Sequence, residues 1–196
     1  MLIRRIFYPV STLGPNKRLG IWTMGCIHGC LGCIAKDTWD FDLKRSVSVS
    51  DILDLAYDYY SKNHCKSVTI SGGDPFFQAD LTELLIGLKK MGYEDILVYT
   101  GFTLETIQAN PLYQTSLDYI DVLIDGLYVD SLNDNLPLRG SSNQRIIFLN
   151  QTLMSIYEPM IKGVRTIDYI THGDYIDIYG IVPKGYQSKI EALKKK

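Results

Sequence analysis

The sequence predicts an α/β fold built on a parallel sheet. Three short apolar runs carry that expectation: residues 68–70, 96–99 and 120–124, all rich in β-branched or aromatic side chains. Segments of helical period separate them, and glycines stand at their ends (Gly72, Gly73, Gly92, Gly101). Strands that are apolar throughout, rather than alternating, belong to sheets covered on both faces, and helices between strands supply the cover.

In chain order, residues 3–7 and 19–24 read as strands, with Gly14, Pro15 and Asn16 marking a turn between them. A cysteine-rich segment follows the second strand directly. Ser50 is the expected N-cap of a helix running to about residue 62, with Ile52, Leu53, Leu55, Ala56 and Tyr59 near helical spacing. The run 68–70 ends at Gly72 and Gly73. A second helix, about 79–91, places Leu81, Leu84, Leu85 and Leu88 on one face and closes at Gly92. After the strand at 96–99 come Gly101 and a helix over 103–108, then the strand at 120–124. Residues 126–142 are polar and read as an inserted loop. Residues 145–149 are strand-like and 151–160 helix-like, while 164–170 and 175–182 flank His172-Gly173 as a hairpin. No repeat and no break in composition divides the chain, so a single domain over residues 1–196 is expected.

Composition bounds the function. The chain has 196 residues, 46% of them hydrophobic, enough for a core without disulfides. The formal net charge of −2 gives no basic surplus for a nucleic acid. The basic run at 194–196 reads as a solvated tail. No apolar stretch reaches membrane-spanning length, and MLIRRIFYPV carries two arginines where a signal peptide needs an apolar core. A soluble, cytoplasmic protein is the expectation. Three of the four cysteines crowd into eight residues, which in a reducing compartment points to metal.

Those three, Cys26, Cys30 and Cys33, lie in GCIHGCLGC. Three thiolates on so short a loop can wrap one soft metal centre. They are one fewer than the irons of a 4Fe–4S cluster, so one iron is left open to a small molecule. S-adenosylmethionine can chelate that iron through its amino and carboxylate groups, and one electron then splits a sulfonium C–S bond. Two other readings stand beside this one. Zinc would need His28 or Cys65 as a fourth ligand, yet zinc sites pair two Cys-x-x-Cys units or add a His pair. Unligated core cysteines are common, but Gly25, Gly29 and Gly32 suit a loop wrapped round a bulky centre. Cys65 reads as a core cysteine. His28 either tunes the cluster or is a loop residue in solvent; His64 and His172 read as helix-end and turn residues. Trp39 and Phe41 either cover the cluster or are core aromatics.

The spacing Cys-x-x-x-Cys-x-x-Cys resembles the hallmark of the radical S-adenosylmethionine superfamily. GCIHGCLGC followed by DTWDF (37–41), VTISGGDPF (68–76), VYTGFT (98–103), IDVLIDG (120–126) and LRGSSNQRI (138–146) resemble, in order, the activating proteins of anaerobic ribonucleoside-triphosphate reductase. The resemblance covers about residues 15–150. It implies an incomplete, TIM-like barrel of parallel strands with outer helices, plus the C-terminal hairpin. It implies that Cys26, Cys30 and Cys33 ligate the cluster and that Gly72, Gly73 and Asp74 meet the amino group of S-adenosylmethionine. Thr100, Gly101, Asp125 and Gly126 are implied as further cofactor contacts. Glycines after a strand let a ligand approach the main chain at the carboxyl edge of a parallel sheet, where such sheets bind ligands.

The implied activity is the making of a glycyl radical on a partner enzyme, anaerobic ribonucleotide reductase, with flavodoxin or ferredoxin as reductant. A radical enzyme acting on a peptide or small molecule, and a non-catalytic iron–sulfur or zinc module, are the alternatives. The superfamily motif usually ends in Glu where this chain has Asp74. IAKDTW replaces the aromatic and Asn that commonly follow the third cysteine. The chain after Ser155 is longer than in compact activases, giving an extension of about 155–196.

Overall fold

A parallel strand pair needs a crossover of a dozen or more residues to carry the chain back to its start, and three such crossovers organise this protein. The computed structural model describes residues 1–172 and 175–186. The chain forms β1 (Ile3–Val10), β2 (Arg18–Thr23), α1 (Val49–Asn63), β3 (Ser67–Gly72), α2 (Leu81–Met91) and β4 (Asp95–Tyr99). Then follow α3 (Leu104–Ala109), α4 (Pro111–Gln114), β5 (Val122–Asp125), β6 (Arg145–Phe148), α5 (Met154–Ile161), β7 (Asp168–His172) and β8 (Tyr175–Tyr179).

One six-stranded sheet has the order β1-β2-β3-β4-β5-β6, and β7 pairs with β8 in a separate hairpin. Strands β2 to β5 are parallel. Their sequential order, each crossover stepping the same way, is consistent with a partial barrel. The edge strands depart from the expected parallel sheet: β1 runs antiparallel to β2, and β6 antiparallel to β5. Length and geometry explain both. The link from β1 to β2 is too short for a crossover, and the chain between β5 and β6 contains no crossover helix to return it to the amino edge.

Alternation along the strands sorts two faces. Ile21, Val68, Ile70, Ile96, Val98 and Leu123 pack with Ile52, Ala56, Leu84, Leu85, Leu88 and Ile107 of the helices. Leu97, Val122 and Ile124 face the other way and meet Leu138, Leu153 and Tyr157. Helix α1 is capped by Ser48, whose hydroxyl accepts from the Asp51 N–H at 3.1 Å, rather than by Ser50. The reason is tertiary: Val49, Ile52 and Ala56 are the buried positions, so Val49 must already be helical. Gly92 closes α2 in the left-handed conformation, φ 104°, as its position suggests.

The expected hairpin forms over shorter strands, Asp168–His172 and Tyr175–Tyr179, and His172 pairs with Tyr175 at the end of β7 instead of belonging to the turn; residues 173 and 174 lie outside the described residues. The hairpin packs on β1. Phe7 stacks on Tyr179 at 4.4 Å, and Arg5 pairs with Asp177 at 2.9 Å. Ser11 donates to Asp168 at 2.8 Å.

Inside the open side of the sheet lies a charge that the sequence does not advertise. Arg18 is fully buried. Its guanidinium donates to Asp95 Oδ2 at 2.5 Å and Oδ1 at 3.1 Å, to Thr69 Oγ1 at 2.8 Å and to the Val68 carbonyl at 2.8 Å. Tyr157 donates its hydroxyl to the same carboxylate at 2.7 Å. A buried charge without its partner is severely destabilising. Asp95→Ala is therefore expected to lower stability by about 3–5 kcal/mol, measured by denaturant unfolding of the reduced, cluster-free chain.

Candidate cluster and cofactor site

The segment after β2 is clamped by main-chain hydrogen bonds before it reaches the cysteines. Gly25 N–H donates to the Thr38 carbonyl at 2.8 Å, and Cys26 N–H to that of Trp39 at 3.0 Å. From the other side, the end of β3 presses on the same segment. Gly73 N–H donates to the Thr23 carbonyl at 2.9 Å and Asp74 N–H to that of Gly25 at 3.0 Å. A Cβ on Gly73 would lie 2.5 Å from the Gly25 oxygen; one on Gly72 would lie 2.3 Å from the Thr23 oxygen. The close approach that the glycine pair permits is thus taken first by the protein's own chain. The N–H groups of Gly73 and Asp74 are spent there. A ligand's amino group, a donor, would need carbonyl oxygens from this edge.

Cys26, Cys30 and Cys33 line one cavity of about 390 Å³ together with Gly72, Gly73, Thr100, Gly101 and Gly126. The cavity opens at the carboxyl ends of β2 to β5, the edge where parallel sheets bind ligands. Asp74 and Asp125 do not line it. Asp125 is buried and engaged elsewhere: it accepts from Leu104 N–H at 2.7 Å and from Arg145 at 3.0 and 2.5 Å. It thereby ties the start of α3 to β5 and β6.

The donor set fits an iron–sulfur cluster. Burial pushes the Cys26 thiol above its ordinary range; the His28 backbone N–H acts against this, and Asp74, Cys30 and Cys33 add to it. Burial raises the Cys30 thiol likewise, opposed by the Tyr128 backbone N–H, with Cys33 adding. Thiols that repel one another's charge are held as thiolates by a cationic centre. Among the described residues, no three His, Cys, Asp or Glu side chains are arranged to hold a single ion. Sulfurs that bind different irons of one cluster need not converge on a point.

Cys65 is remote from the trio. It is buried at the amino end of β3, with its thiol 3.3 Å from the Ser67 carbonyl. His28 is neither a fourth ligand nor a solvated loop residue: its Nε2 lies 2.7 Å from Asp74 Oδ2, and its ring packs between Phe77 and Phe102. Trp39 lines the cavity, whereas Phe41 is half-exposed beside Gly25.

Two walls escape a motif-based reading. The first is the loop after β5. Gln144 organises it, accepting from Gly140 N–H at 2.8 Å and donating to the Gly126 carbonyl at 2.8 Å, so that Tyr128 and Asp130 reach the cavity. The second is the segment 180–186 after β8, which lines the cavity along its whole length. One end is held just after β1, where Thr12 donates to the Tyr179 carbonyl at 3.3 Å. The other is held by Arg165, which donates to the carbonyls of Val182, Leu136 and Arg139, and by Lys184 N–H on Asn135 at 2.8 Å. The sequence signal for this is a single arginine between Val164 and Thr166, which does not name its partners.

The family model described as a 4Fe-4S single cluster domain matches residues 12–147. An anaerobic ribonucleoside-triphosphate reductase-activating protein of Pasteurella multocida (strain Pm70) is 34% identical over 155 residues, covering 74% of this chain and 96% of its own. Proteins of the same name from Enterobacteria phage T4 and Escherichia coli (strain K12) are 32% and 33% identical. They cover 71% and 70% of this chain, and 89% and 93% of their own. The solved structure of QueE from Escherichia coli superposes over 52% of each chain with 26% identity and a TM-score of 0.42, too low to establish a shared fold. The family model ends before Arg165 and the 180–186 wall.

Two outcomes are expected. Gly73→Ala forces its new Cβ on the Gly25 carbonyl, so iron bound per chain after anaerobic reconstitution should fall sharply while far-ultraviolet circular dichroism is unchanged. Arg165→Ala frees the outer wall, read as faster amide hydrogen exchange across 180–186 with protection of β2 to β5 retained.

Proposed function

Because this chain belongs to the 4Fe-4S single cluster domain family, and to the activating proteins of anaerobic ribonucleoside-triphosphate reductase within it, we propose the following reading of its chemistry. The protein is a radical S-adenosylmethionine enzyme that generates a glycyl radical on a partner enzyme, anaerobic ribonucleotide reductase. One observation carries the reading: three cysteines with the Cys-x-x-x-Cys-x-x-Cys spacing share a cavity with the glycine edge of β3 and the end of β4.

When bound, a 4Fe–4S cluster supplies one electron that splits S-adenosylmethionine into methionine and a 5′-deoxyadenosyl radical, which takes a hydrogen atom from a glycine Cα of the partner. The chain's own residues do the rest. Cys26, Cys30 and Cys33 are the three ligands, and they leave the fourth iron to the sulfonium substrate. Carbonyls at Gly72 and Gly73 take its amino group, since the neighbouring N–H groups are bonded to Thr23 and Gly25. Thr100 and Gly101 bound the same space at the end of β4. The 180–186 wall encloses the cavity on one side, keeping the space for the bound substrate.

The sheet is read as an incomplete barrel within one radical S-adenosylmethionine domain, core about 15–150, with the extension of about 155–196 added to it. Among the described residues no helix is long and apolar enough to cross a membrane. Reduction by flavodoxin or ferredoxin, in the cytoplasm, suits a cluster with an open iron.

The test is anaerobic incubation of the reconstituted protein with a reductant, S-adenosylmethionine and the reductase. A glycyl-radical electron paramagnetic resonance doublet and 5′-deoxyadenosine are expected. Alanine at Cys26, Cys30 or Cys33 should abolish both. Cleavage without the doublet would remove the partner assignment, and absence of iron would remove the whole reading.

A further inference from the structure

The carboxylate of Asp74 falls in the motif associated with the cofactor, yet it lies behind His28, Thr100 and Gly101, which line the cavity where it does not. It is 1% exposed. Its Oδ1 accepts from Phe76 N–H at 3.0 Å; its Oδ2 accepts from Gly101 N–H at 2.7 Å. Thr100 Oγ1 lies within 3.0 Å of both oxygens, and His28 Nε2 lies 2.7 Å from Oδ2. A carboxylate offers about four acceptor positions, and these four donors occupy them. No position is left for the amino group of a ligand.

His28 is the other half of the arrangement. It stands between Cys26 and Cys30 in sequence, in a loop whose Ile27 and Leu31 are 74% and 86% exposed. The ring packs against Phe77 at 5.3 Å and Phe102 at 4.8 Å between centroids. A Cβ on Gly101 would come within 2.5 Å of the imidazole Cδ2, so the absence of a side chain there is what admits the ring. Nε2 and Oδ2 share one hydrogen bond across that contact.

We propose that His28 and Asp74 are positioning residues: together they bind the interior of the cysteine loop to the ends of β3 and β4, and so set how the three sulfurs face the Gly72–Gly73 edge. The inference rests on the radical S-adenosylmethionine reading and assigns the motif's acidic residue a mechanical task instead of a contact to cofactor. Nothing in it requires either side chain to touch the reacting atoms. It predicts that the pair acts on cofactor affinity and geometry more than on cluster retention, because the cysteines themselves remain.

The experiment uses the full chain, reconstituted without oxygen, as wild type, His28→Leu and His28→Gln. Leu keeps much of the volume and removes the donor; Gln returns an amide N–H. The readouts need no partner enzyme: iron per chain, the change that S-adenosylmethionine induces in the reduced cluster's electron paramagnetic resonance spectrum, and titration with S-adenosylhomocysteine. Groups that orient metal ligands typically contribute about 10–100-fold in affinity. His28→Leu is expected to retain iron, weaken binding of S-adenosylhomocysteine by about tenfold and blunt the spectral change, and His28→Gln to recover most of both. A Leu variant that binds and responds like wild type overturns the proposal, as does a Gln variant that fails as badly as Leu. Should Leu not hold iron, Asp74→Asn, which alters the other half of the pair at a residue that does not line the cavity, decides: a loss in the same direction supports the proposal and wild-type behaviour overturns it. A wild type that holds a cluster but does not respond to S-adenosylmethionine overturns the underlying reading as well, which separates the two failures.

Discussion

Two main-chain hydrogen bonds, Gly73 N–H to the Thr23 carbonyl and Asp74 N–H to that of Gly25, weld the cysteine loop to the end of β3. Backbone can approach backbone that closely only where no Cβ intervenes. The glycine pair therefore acts first as a joint within the protein. Everything downstream is referred to that joint: the cysteines follow it along the loop, the Asp74 carboxylate reaches back to His28 within that loop, and the cavity opens at the carboxyl ends of β2 to β5 just beyond.

The joint needs a stiff base, and the open side of the sheet provides one in an unusual way. The Arg18 guanidinium, Asp95, Thr69 and Tyr157 link β2, β3, β4 and α5 by charge-assisted hydrogen bonds in a region without water-exposed surface. Apolar packing on the helix side is non-directional. A buried ion pair is directional, and its geometry defines the relative position of the strands whose ends carry the site. Both faces of the sheet supply burial, and the inner face adds registration.

The extension beyond the family model changes the shape of the cavity rather than its chemistry. The β7–β8 hairpin is fastened to β1 by the Phe7–Tyr179 stack and the Arg5–Asp177 pair. From there residues 180–186 cross to the loop after β5, where Arg165 and Asn135 hold main-chain groups. The two edges of an open sheet are bridged by a segment that lies beyond the residues matched by the family model.

Local chemistry was legible in the sequence because it is encoded by neighbours. The cysteine trio, its glycines, the helix face of Leu81, Leu84, Leu85 and Leu88, and the Gly92 cap each depend on residues a few positions apart. What required the tertiary structure depends on partners far along the chain: Arg18 on Asp95, His28 on Asp74, Arg165 on Val182, and the antiparallel edges of the sheet. Ser48 rather than Ser50 caps α1 because the core, not the cap, decides where Val49 goes. The sequence by itself determined which atoms can hold a metal centre, since spacing sets what a short loop can wrap. Only the folded chain decided which way those atoms face, since hydrogen bonds and close packing between distant segments have no signature in a local pattern.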